Sequence, residues 1–142
     1  MSFLDALRVS GSALAAERLR IDLASSNLAN AESTRTPEGG PYRRRDPVFK
    51  ATPLEGGFGS ELARALRGVS IERVVTDPRP PREVFDPSHP DADRDGIVRL
   101  PNVSLVEEMA NLQNAARSYE ANIAAINAGR DMALRALRIG RS

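Results

Sequence analysis

Residues 104–140 read SLVEEMANLQNAARSYEANIAAINAGRDMALRALRIG, a segment without proline whose apolar residues recur at a helical interval. Leu105, Met109, Leu112, Ala116, Tyr119, Ile123, Ile126, Arg130, Ala133 and Leu137 alternate in steps of four and three. That is the heptad spacing that lines side chains along one helix face. Arg130 is its one charged member. Ser104 and Glu107 stand at the two positions of a capping box directly after Pro101, so a helix begins there. Glu107 and Glu108 suit the positive end of the helix dipole, Arg135, Arg138 and Arg141 its negative end, and Gly140 is a natural stop. About 35 residues at 1.5 Å each make a rod of roughly 50 Å, long for a globular domain and usual for an assembly element. Ala110, Ala115, Ala121, Ala124, Ala125, Ala128 and Ala136 lie on other faces. Helix propensity on an exposed surface accounts for them, with close packing by neighbours in an assembly as the sharper alternative.

The N-terminal flank carries a weaker copy of this pattern. Leu4, Leu7, Gly11, Leu14, Arg18, Ile21, Ser25 and Leu28 keep the same alternation, but Gly11, Arg18 and Ser25 are poor core residues. All ten prolines fall between Pro37 and Pro101, which confines long helices to the flanks. Within that span, residues 69–76, 83–85 and 97–100 read as strands, with the stiff Asp77-Pro78-Arg79-Pro80-Pro81 connecting the first two. Residues 60–68 suit a short helix, and residues 32–40 and 56–59 suit loops. The expectation is an α+β chain in which helices near residues 3–30 and 104–138 pack as a coiled-coil-like pair. Residues 1–30 and 104–142 then form one helical polymerisation domain, and residues 31–103 form a small β-containing insert.

Composition narrows the function. With 142 residues, 20 Lys and Arg against 19 Asp and Glu, and no cysteine, the chain offers no disulfide and no thiolate metal site. Its net charge of +1 does not mark it as a polyanion binder. Aromatic residues are only 4% of the chain, so the subunit is poorly equipped to build a thick core alone, a deficit that oligomerisation offsets. Residues 1–21 intersperse charges among apolar residues and hold no unbroken apolar h-region, so no cleavable secretory signal is expected. No apolar run is long enough to span a bilayer.

Three features suggest chemistry. Asp91, Asp93, Asp95 and Gly96 match the start of a calcium loop, but Asn102 stands where the closing bidentate Glu belongs and Arg99 occupies position nine. An Asp/Gly turn is the favoured reading, with a calcium-regulated helical binding module as the alternative. His89 is the only histidine and no nucleophile elbow lies near it, so a loop role is expected. Tyr42-Arg43-Arg44-Arg45 is the only basic cluster, too narrow for nucleic acid and better read as a solvated or protein-facing patch. No phosphate-binding glycine loop is present. Neither an enzyme nor a bound cofactor, metal or small-molecule substrate is expected.

The end of the first helix, Ser26-Asn27-Leu28-Ala29-Asn30-Ala31, resembles the Asn-φ-Ala-Asn signature of flagellar rod and hook proteins. Residues 34–44 narrow the resemblance to the FlgC family of bacterial proximal rod proteins. So do Asp86-Pro87-Ser88-His89-Pro90-Asp91-Ala92-Asp93, the run Gly96, Val98, Pro101, Asn102 and Val103, and blocks 106–109, 117–122 and 132–137. The Gly-rich stretch 54–60 departs from that pattern. The resemblance implies a structural subunit exported by the flagellar type III apparatus without a cleaved signal. It would polymerise in the periplasmic rod of the basal body. Its partners would be other copies of itself, other rod proteins and the membrane ring at the rod base, with no nucleic acid. It further implies assembly contacts through Leu7, Leu14, Ile21, Asn27, Leu28, Asn30, Met109, Leu112, Tyr119, Ile123, Ile126 and Leu137. The aspartate loop and Arg43 to Arg45 become assembly surfaces. An antiparallel pair with Leu28 near Met109 sets Gly11 close to Ile126 and Gly129, and the order of the pair is expected to depend on its neighbours.

Overall fold

The computed structural model describes residues 3–53 and 67–140. The two proline-free flanks form the two long helices: α1, Phe3–Ala29, and α2, Leu105–Ile139. They run antiparallel, since Arg20 bonds Asn111 while Asn27 bonds Glu108. Ser104 caps α2 through its side chain, which accepts the backbone N–H of Glu107 at 3.4 Å, and Gly140 ends it. Helix α1 closes on itself: the Asn30 N–H and its side-chain amide both donate to the Ser26 carbonyl, at 3.1 and 2.9 Å.

Between the helices lie two antiparallel strand pairs. Strand β1 (Arg45–Pro53) pairs with β2 (Arg67–Thr76), and β3 (Arg82–Phe85) pairs with β4 (Ile97–Leu100). In the first pair the register shifts between Val48 and Phe49, leaving Glu72 as the extra residue of a bulge. The hairpin lies along α1. Arg45 meets Asn27 near the helix end, and the Val69 N–H donates at 3.0 Å to Ser12 near the middle. In the second pair the chain turns through Gly96 at φ +75°, where a Cβ would stand 2.9 Å from Phe85 Cε2 and 3.0 Å from Pro87 Cγ. Only glycine meets both demands without strain.

The α+β architecture expected from the flanks and the central strands is present. Strand β1 was missed, because Pro47 and Pro53 argue against a strand; in a two-stranded sheet every strand is an edge, where proline is tolerated. The short helix proposed for residues 60–68 lies mostly outside the described residues, with Gly68 in β2, and the loop at 56–59 lies wholly outside them. The Asp77–Pro81 connection is as read, though it joins strands of different sheets.

The core is thin. Among the described residues its buried hydrophobic members are Ala16, Ala24, Ala31, Tyr42, Val98 and Ala115. Glu108 and Asn27 are among the largest fully buried side chains, beside Val98 and Pro101. Among the described residues, polar groups therefore make up an unusual share of the fully buried side chains.

Candidate functional site: a polar joint and an apolar helix surface

The joint forms where both helices meet the hairpin. Asn27 is 1% exposed and uses its full bonding capacity. Its Nδ2 donates to the Arg45 carbonyl at 2.9 Å and to Glu108 Oε2 at 3.0 Å. Its Oδ1 accepts the Tyr42 hydroxyl and the Arg45 N–H, each at 2.9 Å. The second carboxylate oxygen of Glu108, also 1% exposed, accepts Arg44 Nε at 2.6 Å. Arg44 pairs in addition with Asp46, while its carbonyl accepts the Asp77 N–H at 2.8 Å. One connected network thus ties α1, α2, β1 and the end of β2. A buried network is stabilising only when each member is satisfied, and this one is.

Arg44 is thereby corrected from a surface residue to an internal one. Its guanidinium neutralises the buried carboxylate of α2, and burial of either charge alone would be costly. Arg43 and Arg45 stay exposed, and the Arg45 guanidinium lies over the Tyr42 ring at 5.8 Å. Glu108 was read only as a favourable charge at a helix start. Its signal was the pairing of a Glu-Glu dipeptide in the first helical turn with an arginine run elsewhere, and sequence spacing does not reveal which arginine meets which glutamate.

The second feature is the outer surface of α2. The residues that α2 buries are Glu108, Ala115 and Gly129, with Asn122 half-buried between them. They form a heptad line that stands one residue before Met109, Ala116, Ile123 and Arg130 of the expected seam. Ala115 and Gly129 on this line are small enough for close packing, while larger apolar residues one step along are left outside. Met109, Ile123 and Leu137 are accordingly exposed, whereas Leu7, Leu14, Ile21, Leu28, Leu112, Tyr119 and Ile126 are half-buried. Asn27 sits inside the joint, and Asn30 bonds its own helix end and Ser33. Gly11 is exposed with nothing within 4 Å of a Cβ built there, so the close approach expected beside Ile126 and Gly129 does not occur at that residue. Leu105, Val106, Met132, Leu134 and Ile139 extend the exposed apolar surface, Val106 at 78% and Ile139 at 77% exposure. Large apolar side chains left exposed in this number on one helix are candidates for burial in an assembly.

The aspartates of residues 91–95 serve the turn. Asp91 accepts the Thr34 hydroxyl at 2.6 Å and pairs with Arg35, which fastens this loop to the chain leaving α1. One oxygen of Asp93 accepts the N–H groups of Asp95 and Ile97, both at 2.9 Å. His89 Nδ1 accepts the Asp91 N–H at 3.0 Å. Among the described residues no group of three His, Cys, Asp or Glu side chains converges to hold a metal ion, so the calcium-loop alternative finds no support here. Two carboxyls lie below the usual aspartate range. Asp77 is held there by side-chain and backbone hydrogen bonds from Arg79, and Asp86 by the hydroxyl and backbone N–H of Ser88. Among the described residues no helix is long and apolar enough to cross a membrane.

Comparison with known proteins coincides with this geometry. Residues 7–35 match the family described as flagella basal body rod protein, and residues 94–139 match that described as flagellar basal body rod FlgEFG protein C-terminal. These segments contain most of α1 with its closing turn, and β4 with α2. Over its whole length the chain is similar to the flagellar basal-body rod protein FlgC of Salmonella typhimurium, 40% identical over 140 residues and 99% of both chains. The FlgC proteins of Borreliella burgdorferi and Bacillus subtilis are each 39% identical, over 98% or more of both chains.

Proposed function

This chain belongs to the FlgC family of flagellar basal-body rod proteins and is a structural subunit of that rod; on that premise we propose that it polymerises through its two terminal helices. Residues 1–30 and 104–142 act as the polymerisation domain, and residues 31–103 are an insert held to it by the joint around Asn27. The observation that carries this reading is the contrast between a thin alanine core and a row of large apolar side chains left uncovered on α2. A monomer gains nothing from that exposure, and a polymer covers it.

The interface consists of the exposed Met109, Ile123 and Leu137 with the half-buried Leu7, Leu14, Ile21, Leu28, Leu112, Tyr119 and Ile126. Asn27 and Asn30 contribute by fixing where α1 ends. The partners are other copies of the chain, other rod proteins and the membrane ring beneath them. The subunit reaches the periplasmic rod through the flagellar type III export apparatus without a cleaved signal, and its role is mechanical, with no catalytic step. A thin core suits an exported subunit, because little stability has to be overcome to thread it.

Ile123→Asp tests the reading. The residue is 38% exposed in the subunit, so the fold tolerates a carboxylate there. In an assembled contact the same carboxylate is buried without a partner, costing several kcal/mol, on the order of 3. Export of the variant is expected to persist while rod completion and motility fail. Normal swimming would overturn the assignment.

A further inference from the structure

His89 is the only histidine and cysteine is absent, so no other side chain has an ordinary charge change near neutral pH. The structure gives it a specific task. Along residues 77–95 a side-chain acceptor takes the backbone N–H two residues further on, four times in succession. Asp77 takes that of Arg79 at 2.9 Å, Asp86 that of Ser88 at 3.1 Å, and Asp93 that of Asp95 at 2.9 Å. These are Asx turns, the local closure that aspartate makes with its own backbone. In the remaining one the acceptor is an imidazole: His89 Nδ1 takes the Asp91 N–H at 3.0 Å. Pro90 between them has no N–H to offer, as is true of Pro78 and Pro87 in the first two turns. A carboxylate accepts at any pH above its own range, whereas an imidazole nitrogen accepts only while it carries no proton.

What this turn positions is Asp91. Its side chain, 19% exposed, accepts the Thr34 hydroxyl at 2.6 Å and pairs with Arg35, which fastens the loop to the chain leaving α1. The charged groups around the turn are Asp86 and Asp91 in the loop itself and Arg35 across from it. Asp93 and Arg99 line the same groove as Arg35 and Asp91. Carboxylates ordinarily titrate at about pH 4 and guanidinium groups above about 12. Asp86 lies below the usual range through its bonds from Ser88 and, to a lesser degree, the charge of His89. Near neutral pH, then, His89 is the group here that changes charge.

We propose that the His89-Pro90-Asp91 turn is a proton-operated latch between the loop of residues 86–97 and the chain leaving α1. With the ring neutral, its proton sits on Nε2, and Nδ1 holds the Asp91 backbone so that the carboxylate meets Thr34 and Arg35. A proton taken up at Nδ1 turns that acceptor into a donor facing an N–H group, and the two repel. Either the ring turns away or Asp91 moves. The imidazolium, two residues from Asp91, also competes with Arg35 for its carboxylate. Both changes loosen the hold on residues 34 and 35. The joint around Asn27 contains no histidine and keeps its bonds over the same range. The two attachments of the insert to the end of α1 therefore respond differently to mild acid.

Nitrogen NMR of the imidazole in the full-length chain tests the latch. At about pH 8, above the ordinary histidine range, the neutral ring is expected to carry its proton on Nε2. A ring protonated on Nδ1 there could not accept the Asp91 N–H and would overturn the proposal. On lowering the pH to about 5, the amide resonances of Asp91, Thr34 and Arg35 are expected to move with the midpoint of the ring. Protection of the Asp91 amide, corrected for intrinsic exchange, is expected to fall roughly fivefold, the effect of one hydrogen bond. A ring that titrates while Thr34 and Arg35 stay still would overturn the latch. His89→Asn supplies an acceptor oxygen that does not titrate, and is expected to hold all three resonances at their high-pH positions throughout. His89→Ala is expected to hold them at their low-pH positions throughout. Asp91→Asn is expected to leave the ring titrating and to silence Thr34 and Arg35. The substitutions lie in a loop away from both helices, so circular dichroism matching the parent separates release of the latch from unfolding. A response to pH that survives in His89→Asn would place the switch on another group and overturn the proposal.

Discussion

The two ends of the subunit are built on opposite principles. Where both helices meet the hairpin, Asn27, Glu108, Arg44 and Tyr42 are buried and mutually bonded, and the loop of residues 86–97 is fastened to the chain leaving α1 by Asp91. At the far end, Met132, Leu134, Leu137 and Ile139 stand in the open. Hydrogen bonds are directional and costly to leave unmade, so the first end specifies one geometry within a single chain. Apolar burial is non-directional and proportional to area, so the second end gains most from whatever chain arrives to cover it. The difference teaches how a thin-cored subunit divides its interactions: polar ones set its own shape, and large apolar side chains of α2 are left uncovered within it.

The contrast breaks most readily at Glu108. Glu108→Ala leaves Arg44 as a buried cation whose remaining partner is Asp46, and it removes one acceptor from Asn27. Deleting one partner of a buried pair costs about 3–5 kcal/mol. For a subunit with so little apolar core this is expected to abolish cooperative unfolding in a urea titration followed by circular dichroism. A transition within 1 kcal/mol of the parent, on the order of an ordinary surface change, would show that the joint is ornamental.

A smaller break at the same end is Gly96→Ala. The added Cβ would crowd Phe85 and Pro87, and the residue would be held at φ +75°. Phe85 is 72% exposed and can swing aside, whereas Pro87 cannot, so backbone strain is the larger part of the cost. A loss of about 1–3 kcal/mol in urea unfolding is expected. Smaller still is a change at the opposite end. Leu134→Ser removes an exposed apolar side chain that packs little in the free subunit, so its stability should stay within about 0.5 kcal/mol of the parent. Equal losses from Glu108→Ala and Leu134→Ser would erase the distinction between the two ends.

Much of this plan was legible from residue order. Proline confinement located both helices, the Ser104 capping box located the start of α2, and β-branched runs located β2, β3 and β4, because these signals act over a few neighbouring residues. The inner line of α2 was not legible. Glu108, Ala115 and Gly129 look like poor core residues, and the apolar residues one step along formed the better heptad. A sequence pattern reports which residues prefer burial, whereas the structure shows which are buried within one chain; in a polymer subunit the two sets differ. Arg44 was hidden for a related reason, since three consecutive arginines are indistinguishable until the partner of one of them, far along the chain in α2, is brought into place. For Glu108 that separation is 64 residues.

The smallest effect concerns pH. The Asp77 carboxyl receives Arg79 Nε at 2.9 Å and Arg79 NH2 at 2.6 Å, and these bonds hold its pKa below the ordinary aspartate value of 3.8. A carboxyl whose pKa is lower folded than unfolded binds fewer protons in the folded state. Its stabilisation is therefore present above the unfolded value and is lost as pH falls through the folded one. Arg79 is about half exposed, so solvent and salt screen the pair and its contribution is modest. Asp86 titrates in the same direction through its bonds from Ser88, which adds an acid-side loss that Asp77→Asn leaves intact. The expected result is that urea midpoints for the parent and Asp77→Asn differ most near neutral pH and converge only as pH falls through the lowered folded pKa of Asp77. A gap that widened in acid would mean that the proton is bound more tightly by the folded chain, and that Arg79 is not the partner that sets this carboxyl. Because Asp77 follows directly on the strand whose end is tied to Arg44, the same titration also reports whether the exposed rim of the joint is coupled to its buried centre. Loss of the pH-dependent gap in Glu108→Gln, at a site where Asp77 itself is untouched, would establish that coupling.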